Sequence, residues 1–312
     1  MQNILVTGVD GFIGSRFCSI LSSNKKYTVV GTIFNKSMKK HELPQNIKVE
    51  ICDLTSIETF SILEKYKPVK IYHFAAQAIV KESQTNPFFT LHNNIMSTLM
   101  LLEGTKRYCK DIELFYYHST DKVFGNKEQA KEEDKYVVTD PYSASKISSE
   151  IVCQAYRNLY NLPIVIGRSC NVYGPKDFNS RVIPNTIKDI ILNSQAIIYD
   201  QDKYMYRQYI YVDDLCNIIQ SIKSGKKTFY NISPVSKESI INTENLVLLI
   251  IDIAKALFDI KVKIIRKKKE KILEIHSQSL CTSFKNYPYT DLSQGLIYTF
   301  LWYKDFLYNK KL

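Results

Sequence analysis

The feature that most restricts how this chain can fold lies near its start. Asn3-Ile4-Leu5-Val6-Thr7 is a short apolar run, Gly8-Val9-Asp10-Gly11-Phe12-Ile13-Gly14 follows at once, and residues 15–21 continue with helical periodicity. The order is strand, glycine turn, helix. Glycines at these spacings permit the tight turn, let backbone N–H groups approach a pyrophosphate, and allow the helix to pack closely on the sheet with its N-terminus facing the anion. An isolated glycine pattern is a plain turn; its placement between a strand and a helix makes this one a dinucleotide-binding turn.

Further along, apolar runs at 4–7, 28–32, 48–51, 70–74, 114–118 and 163–167 alternate with amphipathic helical patterns. That alternation predicts an α/β fold with a Rossmann-type, doubly wound parallel sheet covered on both faces. Ligands of such sheets sit at the carboxyl ends of the strands, where Gly8, Ala75, Thr120 and Arg168 fall. After about residue 174 the rhythm breaks. The expected division is therefore a dinucleotide-binding domain over 1–173, to which 204–232 returns, and a smaller α/β C-terminal substrate lobe from 174–203 and 233–312. Helical patterns at 246–258 and 295–308 belong to that lobe.

Two short segments carry chemistry. In Tyr142-Ser143-Ala144-Ser145-Lys146 the tyrosine and lysine lie one helical turn apart, so the ammonium of Lys146 can sit beneath the phenol of Tyr142 and favour its phenolate. A free tyrosine has a pKa of about 10, too high for a base near neutrality. Ser119-Thr120-Asp121-Lys122 follows an apolar strand and places a hydroxyl, a carboxylate and an amine at a strand end.

With these segments and the glycine turn, the chain resembles the extended short-chain dehydrogenase/reductases, and within them the nucleotide-sugar 4,6-dehydratases. The resemblance runs from residue 2 to about residue 232 and includes Cys52-Asp53-Leu54, His73-Phe74-Ala75-Ala76-Gln77, Asn93-Asn94-Ile95-Met96-Ser97-Thr98, Arg168-Ser169-Cys170-Asn171-Val172-Tyr173-Gly174-Pro175 and Arg207-Gln208-Tyr209-Ile210-Tyr211-Val212-Asp213-Asp214. It implies cofactor contacts from Gly8, Gly11, Phe12, Ile13, Gly14, Asn35, Lys36, Asp53, Leu54, Phe74, Ala75, Ala76, Tyr142 and Lys146. Substrate contacts are implied for Gln77, Asn94, Thr120, Asn171, Arg181, Val182 and Arg207. The last two motifs resemble the family's substrate-side signatures, and residues 277–284 match the family poorly.

The implied reaction oxidises carbon 4 of a hexose, eliminates water across carbons 5 and 6, and returns hydride to carbon 6. Tyr142, helped by Lys146 and Thr120, takes the proton of the 4-hydroxyl, and Asp121 protonates the departing 6-hydroxyl. For the base at carbon 5 the chain departs from the dTDP-glucose pattern, which has Asp-Glu where this sequence has Asp121-Lys122. Lysine there resembles CDP-glucose and some UDP-N-acetylglucosamine dehydratases; a Lys122 neutralised by burial near Lys146 is the expected base, and pairing with Asp121 or a phosphate is the alternative. The spacing from Asp121 to Tyr142 and the run 176–184 lean toward the CDP-glucose group. A 4-epimerase on the same scaffold needs Thr120, Tyr142 and Lys146 but no pair at 121 and 122; a non-catalytic dinucleotide-binding protein is the third reading.

The cofactor is NADP or NAD. Residues 31–37, Gly-Thr-Ile-Phe-Asn-Lys-Ser, offer no acidic side chain for the ribose hydroxyls, and Lys36 can meet a 2′-phosphate, which favours NADP slightly. Composition bounds the rest. With 312 residues, 45% hydrophobic and 23% charged, the chain can bury a large core. No apolar run reaches membrane-spanning length and the first residues enter a strand without a leader pattern, so a cytoplasmic protein with no membrane partner is expected. Seven cysteines without metal-ligand spacing fit a reducing compartment and no metal. The net charge of +11 has its densest run at 266–271, without interleaved aromatics; it reads as a solvated loop or helix face rather than a nucleic-acid site. The stretches 94–108 and 142–160 carry surplus apolar residues, including Met96, Met100, Ile151 and Tyr156, where the family dimerises, so a homodimer is expected.

Overall fold

The computed structural model describes residues 2–23, 26–35, 43–268 and 276–309. The chain forms two compact units. The first comprises 1–125, 132–169 and 216–231; the second comprises 126–131, 170–215 and 232–312. The stretch 204–215 lies in the second unit.

The first unit is built on β1 (Gln2–Thr7), β2 (Tyr27–Ile33), β3 (Lys48–Ile51), β4 (Lys70–His73), β5 (Leu114–Thr120) and β6 (Ile164–Ser169). Its sheet runs β3-β2-β1-β4-β5-β6 and is extended beyond β6 by a late strand, Phe229–Ile232. Each pairing from β3 through β6 is parallel. This is the doubly wound order, in which the strand order reverses between β1 and β4 and leaves a crevice beyond their carboxyl ends. β1, β5 and β6 read as nearly continuous apolar runs because both faces are covered.

The covering helices are α1 (Phe12–Leu21), α2 (Glu58–Tyr66), α3 (Val80–Thr85), α4 (Pro87–Tyr108) and α5 (Pro141–Tyr160). Leu5, Val30, Ile71, Phe115, Ile164 and Ile166 from the strands meet Leu63, Leu101, Leu102 and Cys153 from the helices in one buried cluster. α5 starts where it does because Asp140 and Ser143 form a reciprocal capping box with Pro141 in the first turn, and it stops at Asn161 in the left-handed conformation.

The second unit has a core of its own. Ile187, Ile190, Ala196, Ile198, Leu246, Ile250, Leu296 and Phe300 pack together, from helices Val182–Asn193, Thr243–Phe258 and Leu292–Asn309 and the strand Gln195–Tyr199. Its strand Met205–Tyr211 pairs in parallel with His276–Gln278, and Leu280 bridges to Ala130. The basic run expected on a loop or helix face begins instead on the strand Lys263–Lys267, where exposed Arg266 pairs with Glu244 at 2.7 Å; residues 269–271 lie outside the described residues. Among the described residues no helix is long and apolar enough to cross a membrane, and no cluster of side chains has the makings of a metal site.

Candidate active site

The crevice begins with the glycine turn. Gly8 has φ +68°, and a Cβ there would stand 2.8 Å from the Ala75 Cα at the end of β4; a Cβ on Gly14 would collide with the Gly8 carbonyl. Side chains are excluded, so backbone lies bare at the switch point. Gly11 caps α1 without any side-chain hydrogen bond, and the first turn of α1 carries no acidic residue. The N–H groups there are left for an anion, and the cradle fits the pyrophosphate of a dinucleotide. Phe12 and Leu54 are buried, whereas Asp53, Phe34 and Asn35 are exposed. One oxygen of Asp53 already accepts from the amide and hydroxyl of Thr55. Lys36 lies outside the described residues.

The segment after β4 is set by a neutral histidine. Burial and the Lys146 charge pull His73 down to about 3. The Thr98 hydroxyl on α4 donates to the Asn94 carbonyl at 2.8 Å, so it accepts from His73 Nε2 at 3.1 Å; His73 Nδ1 then accepts from the Thr7 hydroxyl at 2.8 Å, which itself accepts from the Ala75 amide at 3.1 Å. Phe74 packs its ring against Phe17, Tyr116 and His118. Strand end, glycine turn and α4 are thereby held in one polar chain.

At the end of β5, Thr120 caps a single turn, Asp121–Val123: its hydroxyl accepts from the Lys122 amide at 3.3 Å and donates to Asp121 Oδ1 at 3.0 Å. The first two turns of α5 bring Tyr142 and Lys146. Lys146 is only 4% exposed; its Nζ donates to the carbonyl of His118 on β5 at 2.5 Å and lies 4.2 Å from the Tyr117 ring centroid. Burial draws this ammonium down to about 8, and the charge of Glu150 opposes the shift. His118 is pulled to about 3 by burial and by Lys146.

Residues 5–281 match the family model described as GDP-mannose 4,6 dehydratase. The chain belongs to this family. A dTDP-glucose 4,6-dehydratase of Haemophilus influenzae is 32% identical over 234 residues, covering 69% of this chain and 68% of that protein. One from Salmonella typhimurium is 30% identical over 261 residues, covering 74% and 72%. The chain spans a smaller share of some relatives, 58% of a dTDP-D-glucose 4,6-dehydratase of Dictyostelium discoideum that is 32% identical over 74% of this chain. Among solved structures, a dTDP-glucose 4,6-dehydratase of Bacillus anthracis in complex with NAD is 25% identical with TM-score 0.79, covering 98% of this chain and 97% of that one. A UDP-glucose 4-epimerase of Thermotoga maritima with UDP-glucose is also 25% identical, with TM-score 0.86 and 98% and 100% covered.

Membership in this nucleotide-sugar dehydratase family, an NAD-type lyase class, accords with the Rossmann-type sheet and bears out the short-chain dehydrogenase/reductase resemblance; several of the motif side chains are engaged within the fold. Gln77 gives its amide to Ile79 and Glu82 and accepts from Thr90. Asn94, 2% exposed, uses both ends of its amide on the Gln77 backbone, Asn93 and Ser145. Both residues brace α4, α5 and the β4 loop within the first unit. Arg168, from a motif that resembles a substrate-side signature, is 1% exposed and ion-paired to Glu150 at 2.7 Å. Its charge is consumed within the fold.

Asn171, Arg181, Val182 and Arg207 all belong to the second unit. Asn171 donates to the Gln208 carbonyl, Arg181 stands 4.0 Å from Asp177 just before the helix that Val182 opens, and Arg207 Nη1 donates to the Tyr206 carbonyl.

Proposed function

We propose that the protein is a nucleoside-diphosphate-hexose 4,6-dehydratase that converts a UDP- or CDP-linked glucose or N-acetylglucosamine to its 4-keto-6-deoxy form. The observation that carries this reading is the attachment of Lys146 to β5 itself: the lysine of the Tyr142–Lys146 pair bonds the His118 carbonyl, and the same strand ends two residues later at Thr120 and passes directly into Asp121 and Lys122. One element thus brings a hydride-transfer pair and an elimination pair to a common end.

Tyr142 takes the 4-hydroxyl proton, with the Lys146 ammonium lowering the cost of the phenolate. A nicotinamide dinucleotide bound on the glycine turn supplies the hydride acceptor and donor. The ketone at carbon 4 acidifies the hydrogen on carbon 5, which half-buried Lys122 removes. Asp121, acting as the carboxylic acid, gives its proton to the departing 6-hydroxyl and is left a carboxylate, with the Thr120 hydroxyl donating to its Oδ1. The fold likeness to a 4-epimerase keeps that activity as a second reading, and the Asp121–Lys122 pair argues against it.

The choice between NAD and NADP turns on Lys36, since Phe34 and Asn35 at the end of β2 are exposed and carry no carboxylate. A homodimer through α4 and α5 accords with the exposure of Ile151 and Leu159; Tyr156 instead turns its hydroxyl to Glu103 between the two helices. The deciding experiment offers UDP-, CDP-, dTDP- and GDP-hexoses to the enzyme and reads loss of water by mass spectrometry. In Lys122→Met, carbon 4 oxidation should persist while exchange of the carbon 5 hydrogen with solvent deuterium collapses. Exchange at the wild-type rate would remove Lys122 from its role, and a 4-epimer formed without loss of water would replace the dehydratase reading.

A further inference from the structure

Four residues beyond Lys146 on α5, Glu150 is fully buried and yet charged chemistry surrounds it. Arg168 from β6 reaches its carboxylate with Nε at 3.1 Å to both oxygens and with Nη2 at 2.7 Å. Ser119 donates to Oε1 at 2.5 Å and Tyr136 to Oε2 at 2.8 Å. The guanidinium is finished by the Glu132 carbonyl at 2.9 Å and lies 4.8 Å from the Phe124 ring centroid. Ser119 and Phe124 are the residues immediately before and just after the Thr120–Val123 turn. A pair buried this deeply gains little in stability over an apolar replacement, so stability alone does not account for it.

We propose that Glu150 and Arg168 are positioning residues for the catalytic turn and for Lys146: the carboxylate takes the Ser119 hydroxyl on one side of residues 120–123, the guanidinium carries Phe124 on the other, and the carboxylate stands one helical turn from Lys146. The proposal rests on Lys146 serving Tyr142 and extends that reading to the layer beneath. The direction of the electrostatics agrees, because burial pulls Lys146 down and the Glu150 charge is the largest influence raising it. The titratable and charged groups around Lys146 are Tyr142, Glu150 and Cys153 on its own helix, Tyr117 and His118 on β5, His73 on β4 and, behind Glu150, Arg168 on β6 and Tyr136. Burial and Lys146 keep both histidines neutral and burial raises the Cys153 thiol, which leaves the Glu150 carboxylate, ion-paired to Arg168 at 2.7 Å, as the main influence opposing the shift of Lys146.

The test reads Lys146 without any sugar. In protein labelled with carbon-13 at lysine Cε, the resonance missing from Lys146→Met identifies Lys146, and its titration is followed by NMR. Because Glu150→Gln alone would strand a buried guanidinium, the main variant is Glu150→Gln with Arg168→Met, which removes both charges and keeps volume. The midpoint of Lys146 should fall by about one pH unit or more in this double variant. It should stay near the wild-type value in Ser119→Ala, which spares the charge; that variant should instead slow elimination about tenfold through the loosened turn. A double variant that folds, binds the dinucleotide and leaves the Lys146 midpoint unmoved would overturn the proposal. Since this midpoint is measured on the sugar-free protein, absence of dehydration in the wild type would sink the dehydratase reading and leave the positioning test intact.

Discussion

The β1–α1 turn and the β5–α5 junction serve the same crevice in opposite ways. At the first, the chain works by leaving side chains out: Gly8 brings backbone so near Ala75 that a single added carbon would lie 2.8 Å away, and nothing acidic or capping occupies the start of α1. At the second, it works by burying charge, with Asp121, Lys146, Glu150 and Arg168 all at or below 4% exposure. One region is sensitive to volume and tolerant of distant charge; the other tolerates a same-size neighbour and is sensitive to a missing charge.

The largest effect should come from adding volume where none fits. Gly8→Val combines a β-branched residue at φ +68° with a collision against Ala75, and should cost about 3 kcal/mol of stability and abolish dinucleotide binding. Calorimetric titration and a thermal melt check it; wild-type affinity would mean that close backbone approach is not what the turn provides. Next is Lys146→Met, a volume-conserving loss of charge, expected to cut hydride transfer about 1,000-fold while the fold persists. Its stability should carry a pH signature. In the wild type Lys146 sits at about 8 when folded against 10.5 as a free side chain, so over that window the unfolded chain holds the extra proton and wild-type stability rises with pH. The variant lacks this rise. Denaturant midpoints of both proteins across the window should diverge in the wild type's favour as pH increases, and parallel curves would contradict the burial of that charge.

Asp121→Asn should separate the two halves of the chemistry, slowing elimination about 100-fold while sugar oxidised at carbon 4 can still be trapped with borodeuteride. Unchanged dehydration would reassign the acid. The smallest effect is expected from Thr120→Val, which removes the cap of the Asp121–Val123 turn: about 1 kcal/mol in stability and about tenfold in elimination, read from a melt and from initial rates.

The same contrast explains how much the sequence disclosed. A glycine turn between a strand and a helix is a local pattern, and the structure has β1 and α1 at those positions because the cause is local too. The Tyr142 to Lys146 spacing was legible for the same reason. Glu150 repeats that four-residue step, but a glutamate on a helix reads as solvent-facing until Arg168, 18 residues away, is known to lie under it. The Asn94 amide's bond to Ser145 was not legible because that partner sits 51 positions off in the chain. The parallel pairing of His276–Gln278 with Met205–Tyr211 had no periodic signal at all, since a strand of three residues is too short to show one.

The order in which the two units draw on the chain has a consequence for synthesis. Residues 170–215 belong to the second unit, and only afterwards does the strand Phe229–Ile232 arrive to extend the first unit's sheet beyond β6. A nascent chain halted just after Ser169 therefore exposes one flank of β6, the unpaired edge of a strand that is buried along its whole length in the finished protein, to whatever else is being made nearby. Until that last strand emerges, the half of the molecule that comes first from the ribosome waits on the half that comes second.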